Sequence, residues 1–456
     1  MPYWFRAHLP HQRLPLLSLL ARPLRFPLPV HTAMPPPSSP TAGITPPTKL
    51  GGYAFYRQAL RGAKYIVAPM VDQSELAWRI LSRRYGAELC YTPMFHARLF
   101  CQPEHKAYFA EQWQTNPADR PLIAQFCAND PAFLLRSALR IQDQCDAVDL
   151  NLGCPQGIAQ KGHYGSFLME EWDLVARMVR TLHENITVPV TCKIRVFPDP
   201  ERTVAYARML EAAGCQLLTV HGRLREQRGH KSGLADWDQI RRVKEAVQIP
   251  VLANGNILYF EDVERCLAAT GVDGVMSAEA NLYNPAVFSG RYLPAYQLAR
   301  EYMDICKEVP TPMPFIRAHL FKLFKPSLPL HTDLRAQMAK VQSFAEMDQV
   351  VHDLQARLQP EAEQHPPFCI ETAEKDTDGF YIIPHWICQP DVPAAAAPTV
   401  NGQVIEGENE GGMVTAGGES APVSPIPSAV VCLIHQSKAS PIPIPEQPTP
   451  LPVTTS

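Results

Sequence analysis

The sequence predicts a (β/α)8 barrel, the TIM fold, followed by a small helical domain, with Pro-rich ends outside both. Three observations carry this. Between Lys64 and Ala278, eight short apolar or β-branched runs alternate with amphipathic helical stretches. That count over about 230 residues matches a (β/α)8 barrel. The polar residues that interrupt the apolar runs fall at the C-terminal ends of those runs. An open doubly wound sheet is the runner-up, but no GxGxxG follows the first strand.

The strands are expected at 65–70, 88–92, 121–127, 147–152, 188–195, 216–221, 250–254 and 272–278. Helices are expected at 74–85, with Ser74 as N-cap, and at 131–142, 170–184, 201–213, 236–247 and 261–269. Beyond the barrel (60–294), apolar residues at helical spacing predict helices at 301–307, 314–324 and 333–358, a domain spanning 295–360. Residues 361–390 read as a short extension of unassigned role.

Proline marks the ends. Of 46 prolines, 12 lie in residues 1–50, 19 in 51–360 and 15 in 361–456, so neither end reads as a packed domain. The leader 1–50 has no acidic residue but carries Arg6, Arg13, Arg22 and Arg25. Such a start can be an organelle presequence, although its prolines oppose an amphipathic helix. An unstructured leader is the expectation, with a cytoplasmic or nuclear location, or a mitochondrial one if residues 1–33 act as a presequence. The tail 391–456 is low in complexity and expected to be disordered. No apolar run approaches the roughly 18–20 residues that span a bilayer, and a soluble monomer is expected. The twelve cysteines are scattered singly, which suits a reducing compartment.

The net charge of -3 gives no overall attraction to nucleic acid, so any such contact needs a local basic patch. His365, Cys369, His385 and Cys388 suggest zinc by their order, but the spacings match no common finger, and no metal is expected.

The chemistry centres on Asp149-Leu150-Asn151-Leu152-Gly153-Cys154-Pro155, a strand running into a Gly/Lys-rich loop. Most cysteines are small buried hydrophobes. Cys154 differs because it lies just past a strand end, where chains place chemistry. As a thiolate it would be a nucleophile; as a neutral thiol it would donate a proton. On the same rim fall Pro69-Met70 closing strand one, Gln125 near the end of strand three, Lys193 at the end of strand five, His221 at the end of strand six and Asn254-Gly255-Asn256 at the end of strand seven. Each alone has a bland explanation, such as a solvated charge or a turn. Together they suit a flavin: a strand-end lysine stabilises the charge of the reduced ring, and an amide pairs with the pyrimidine edge. Glycine at 255 lets backbone approach a phosphate. Beside a flavin, a thiol serves best as an acid.

Lys161, Arg195, Arg223, Arg225, Arg228 and Lys231 surround this rim, and Arg317, His319 and Lys322 lie in one predicted helix with Lys325 just past its end. Charged segments are usually just solvated. Their place above the site makes phosphate contact the sharper reading.

These residues resemble those of the tRNA-dihydrouridine synthases, most closely the eukaryotic branch acting on uridines 16 and 17 of the D-loop. The resemblance covers roughly Lys64 to Leu358. It rests on Ala68-Pro69-Met70-Val71, Gln125-Phe126, the Asp149–Pro155 stretch, Lys161–Gly165, Cys192–Arg195, Thr219–Arg223, Asn254–Asn256 and Ala278-Glu279. It implies FMN, NADPH or NADH as electron donor, tRNA as partner, and Cys154 as the proton donor. Pro69, Met70, Val71, Gln125, Lys193, His221, Asn254, Gly255, Asn256, Ala278 and Glu279 match FMN-contacting positions. Lys161, Arg195, Arg223, Arg225, Arg228, Lys322 and Lys325 are the expected tRNA contacts. Many bacterial relatives carry Gly-Arg where this chain has Ala278-Glu279, so backbone N–H groups are expected to serve there. Ser166 stands where a small apolar residue is common, a change expected to matter little. A flavin-dependent reductase of a small pyrimidine or enone, or a non-catalytic RNA-binding barrel, are the alternatives.

Overall fold

The computed structural model describes residues 49–229 and 232–391. The Pro-rich leader, the low-complexity tail and Lys231 lie outside them, except for the edges of the two end segments.

Nine strands form the sheet: β1 Tyr65–Val67, β2 Leu89–Tyr91, β3 Phe95–His96, β4 Leu122–Cys127, β5 Ala147–Leu152, β6 Val190–Arg195, β7 Leu218–His221, β8 Val251–Asn254 and β9 Gly274–Ser277. All pairings are parallel. β1 pairs with both β2 and β9, and β2 pairs with β4 through Cys90 and Leu122, so eight strands close a barrel. The short β3 adds only to the far end of β4, with Phe95 opposite Phe126. The expected eight strands are all present, and β3 is an addition that two residues could not announce.

Alternation sorts each strand. Val148, Leu150, Cys192, Ile194, Leu218, Val220, Val251, Ala253 and Val275 pack outward into the core shared with the surrounding helices. The opposite set builds the barrel interior. Its lower layer is apolar, with Ile66, Leu89, Tyr91, Ile123, Ala147, Leu252 and Met276. A helix at Gly52–Gln58 plugs that end with Phe55 and Tyr56, an element missing from the sequence reading. Its upper layer is polar. Register places Gln125 beside Asp149, Asp149 beside Thr191, Asn151 beside Lys193, Lys193 beside Thr219 and His221 beside Asn254.

The first barrel helix runs Leu76–Arg84, and Ser74 does not cap it. Its hydroxyl bonds to both the N–H and the carbonyl of Met70 instead, which tightens the turn after β1. Trp78 and Leu81 of that helix enter a second core with Leu298, Tyr302, Leu320, Met347 and Leu354. This core belongs to the helices Ala295–Glu308, Met313–Leu323, Thr332–Lys340 and Phe344–Ala362. The single helix expected over 333–358 is therefore two. Ser343 starts the second, accepting from the N–H of Glu346 while the Glu346 carboxylate accepts from the N–H of Ser343.

Residues 364–391 run back along both parts. Cys388 is buried in the helical core, Ile387 bridges Pro294, and Tyr381 packs edge-on against Tyr259. The four His and Cys residues here part company. His365 stacks on Trp386, Cys369 bonds to Glu371, His385 pairs with Glu361 at 3.0 Å, and Cys388 sits in the core. Among the described residues no group of three or more metal-ligating side chains forms.

Candidate active site

Strand ends place every group of the rim. Cys154 lies two residues beyond β5, and its backbone is tied on all sides. Asn151 Oδ1 accepts from the N–H of Cys154 (2.9 Å) and of Gly153 (3.1 Å). The Cys154 carbonyl accepts from the Ser166 hydroxyl (3.0 Å) and the Ser166 N–H (3.1 Å). On either side, Arg195 Nε donates to the Gly153 carbonyl (2.9 Å) and Arg228 Nη1 to the Pro155 carbonyl (2.6 Å). The thiol is half-buried beside Met94, Phe167, Cys127 and Tyr164. Burial pushes its pKa up, only partly offset by the N–H of Gln156, Arg195 and Lys193. It is a protonated thiol at neutral pH.

Lys193 stands next to Asn151 across the β5–β6 pair. Burial, with help from Arg195, pulls its pKa down to about 7, while Asp149 and Cys154 oppose the shift. No hydrogen bond or ion pair holds its ammonium among the described residues. His221, one strand further, is driven well below its usual pKa by burial and by Lys193, Arg195 and Arg223, so it is neutral. Arg223 Nη1 donates to its Nε2 at 3.2 Å, which puts the ring proton on Nδ1.

Gln125 is fully buried, its amide held between Asp149 and Asn151 at 2.8 Å each. Asn254 Nδ2 donates to the Met276 carbonyl at 3.0 Å. Gly255 has φ +112, and an added Cβ would lie 2.6 Å from the Ala235 methyl. Asn256 also takes a positive φ, and its side chain is spent on both backbone groups of Ala235. Pro69 and Met70 are half-buried after β1, whereas Val71 is 56% exposed. Ala278 precedes the short helix Glu279–Tyr283. The Glu279 carboxyl lies in the field of Arg223, Lys322 and Lys325, but burial and Asp391 raise its pKa.

The expected RNA cations divide. Arg195 is 7% exposed, and its guanidinium is engaged by the carbonyls of Gly153, Leu224 and Gln227. Arg228 likewise reaches the Pro155 carbonyl. These two clamp the Cys154 loop, a role that spacing could not show. Arg317 turns away to the carbonyls of Met338 and Val341, closing the helix 332–340. His319 is fully buried between the two parts of the chain. Arg225 pairs with Glu226 and lies 5.7 Å from the Phe167 ring. Lys161 is exposed on the helix Gly157–Gly162. Lys322 is half-buried, and Lys325 pairs with Asp391. Ser166 matters more than its small size suggests. It is fully buried, and its hydroxyl is one of the groups that fix Cys154.

A closed parallel barrel with a protonated thiol and a half-buried lysine on its C-terminal rim defines a (β/α)8 enzyme, with the chemistry carried by its strand ends. The comparisons narrow the class: the chain belongs to the dihydrouridine synthase family, whose model matches residues 66–364. It is 50% identical over 372 residues to a mouse protein named tRNA-dihydrouridine(16/17) synthase [NAD(P)(+)]-like, covering 82% of this chain and 74% of that one. It is 47% identical to the Saccharomyces cerevisiae tRNA-dihydrouridine(16/17) synthase [NAD(P)(+)], over 79% of this chain and 90% of the relative. A mouse tRNA-dihydrouridine(20a/20b) synthase [NAD(P)+]-like protein matches at 39%, over 57% of this chain and 80% of its own.

Proposed function

We propose that this chain reduces uridine to 5,6-dihydrouridine at positions 16 and 17 of the tRNA D-loop, with FMN as its bound cofactor and NADPH or NADH as electron donor. The position is supported by the relatives. Those named for 16/17 align over more of this chain, at higher identity, than the one named for 20a/20b. The same names support tRNA as substrate and a nicotinamide donor.

The residues fit FMN. Lys193 offers an amino group with no hydrogen-bond or ion-pair partner among the described residues, and His221 offers a neutral Nδ1–H. Lys193 and His221 would hold the ring side, with the buried Gln125 bracing Asn151 beneath them, and Asn254, Gly255, Asn256, Ala278 and Glu279 the phosphate side. When bound, the reduced ring supplies hydride to C6 of the pyrimidine. Cys154 holds the proton destined for C5, and its raised pKa keeps that proton in place at neutral pH. Lys161, Arg225, Arg228, Lys322 and Lys325 would face the RNA, while Arg223 is held by Gly233, His221 and Asn256. The target base must be extruded, since its C5–C6 edge is otherwise stacked.

The observation that carries this reading is the protonated Cys154 fixed on the same rim as the unpaired Lys193. Cys154→Ala tests it. The variant is expected to retain bound flavin and NADPH oxidation but to lose at least about a hundredfold in dihydrouridine formation on tRNA transcripts, the scale of general-acid catalysis. Free uridine should be a poor substrate for the unaltered protein. Undiminished product from Cys154→Ala would remove the acid assignment.

A further inference from the structure

Asp149 is fully buried in the polar layer of the barrel and has no part in the chemistry above. It nonetheless begins a continuous chain of hydrogen bonds. Thr191 Oγ1 donates to Asp149 Oδ1 (2.6 Å), and Gln125 Nε2 donates to Asp149 Oδ2 (2.8 Å). Asn151 Nδ2 donates to Gln125 Oε1 (2.8 Å). Asn151 Oδ1 then accepts from the N–H groups of Gly153 and Cys154.

The two ends of this chain are fixed in kind. A carboxylate only accepts, and a backbone N–H only donates. Between them lie two amides, each with one donor end and one acceptor end. Only one orientation of both satisfies every contact, and the alternative sets oxygen against oxygen or N–H against N–H. In so buried a site each such mismatch is costly.

We propose that Asp149 is a positioning residue for Cys154: it sets the direction of the Gln125–Asn151 hydrogen-bond chain, and that chain holds the thiol loop in place. The proposal rests on the reading of Cys154 as the reacting acid. It adds that the amides beneath the rim and the acid-bearing loop are aligned by one buried carboxylate. Lys193, Thr191 and Tyr91 surround that carboxylate, and none of them offers a second path to the Cys154 backbone.

The direction of the chain can be reversed by substitution. Asn151→Asp places acceptor-only groups on both sides of Gln125, which has a single NH2 to share between them. The contacts to Gly153 and Cys154 survive, but the support beneath them is lost. Adding Asp149→Asn should repair this. The new amide at 149 donates to Gln125 Oε1, and Gln125 turns over to donate to the new carboxylate at 151. Asp149→Asn alone leaves that end free to present either its oxygen or its NH2 to Gln125, so its labelling rate should fall between those of the unaltered protein and Asn151→Asp.

The measurement is the rate at which iodoacetamide labels Cys154 in the purified flavoprotein, read by peptide mass spectrometry. Asn151→Asp is expected to label about tenfold faster than the unaltered protein, the equivalent of one lost hydrogen bond. The double variant should return to within about threefold, a recovery that steric damage does not predict. Should Asn151→Asp not fold, recovery of folding by the double variant is the same rescue. Labelling of Asn151→Asp at the unaltered rate, or a double variant no better than the single, would overturn the proposal. Labelling needs neither reductant nor RNA. A failed acid assignment therefore shows only as normal turnover by Cys154→Ala, and leaves the labelling pattern intact.

Discussion

At Lys193 the physical chemistry makes a signed prediction. Its pKa of about 7 in the folded chain lies far below the unfolded value near 10.4. Between those values the unfolded chain binds the proton that the folded one lacks, so stability of the cofactor-free protein rises with pH. Reduced FMN works the other way, because its anionic ring favours the charged lysine. Affinity for reduced FMN should therefore fall as pH rises from 7 to 9, by on the order of tenfold for each pKa unit the anion restores. Anaerobic titrations with chemically reduced FMN would measure it, and Lys193→Gln should bind more weakly with a flat profile. Equal slopes in both proteins would show that Lys193 does not meet the anion. Part of this scale was legible in the sequence: Lys193 and His221 stand at strand ends, where alternation fixes which way they point, and Cys154 lies in the turn just past one. Arg195 and Arg228 also hold the Cys154 loop, which the sequence did not show. Spacing shows that a guanidinium is near a rim, but not that backbone carbonyls have already claimed it.

Between elements, the decisive contact joins the first barrel helix to the helical domain. Glu75 is buried, accepting from the Tyr302 hydroxyl at 2.8 Å and lying 3.0 Å from His319 Nε2. The His319 ring stacks on Trp78 with centroids 3.8 Å apart. His319 and Tyr302 together hold the Glu75 carboxyl below its usual range against the cost of burial. Its contribution to stability is thus present above the unfolded pKa of about 4.3 and is lost as pH falls through the lower folded value. Glu75→Gln leaves a buried amide N–H facing a donor. It should cost on the order of 2 kcal/mol in urea unfolding at pH 7. No measurable change would mean that the domains are seated by their apolar core alone. This junction was invisible in the sequence, where His319 read as one of a row of basic residues. The Ser343–Glu346 capping box, by contrast, was present as Ser-x-x-Glu and was read through as a single helix. Apolar spacing continued in phase across the break and masked the helix start.

For the whole molecule, the eight-strand count and the alternation of strand and helix were enough to give the barrel. The polar residues at the strand ends were enough to locate its working face. What the sequence did not show were features made by distant segments: the helix that plugs the barrel floor, the run 364–391 along both parts, and the Asp149–Gln125–Asn151 chain inside. Each depends on which strands become neighbours, and that is settled only when the barrel closes. The central claim is that this barrel reduces uridines 16 and 17 of tRNA with the proton of Cys154. The most direct measurement maps dihydrouridine at single-nucleotide resolution in tRNA from cells lacking the protein, then from the same cells given the unaltered chain or Cys154→Ala. The account predicts that the modification is lost at 16 and 17, returns with the unaltered chain and stays absent with the variant. Unchanged dihydrouridine at those positions without the protein, or full recovery with Cys154→Ala, would contradict it.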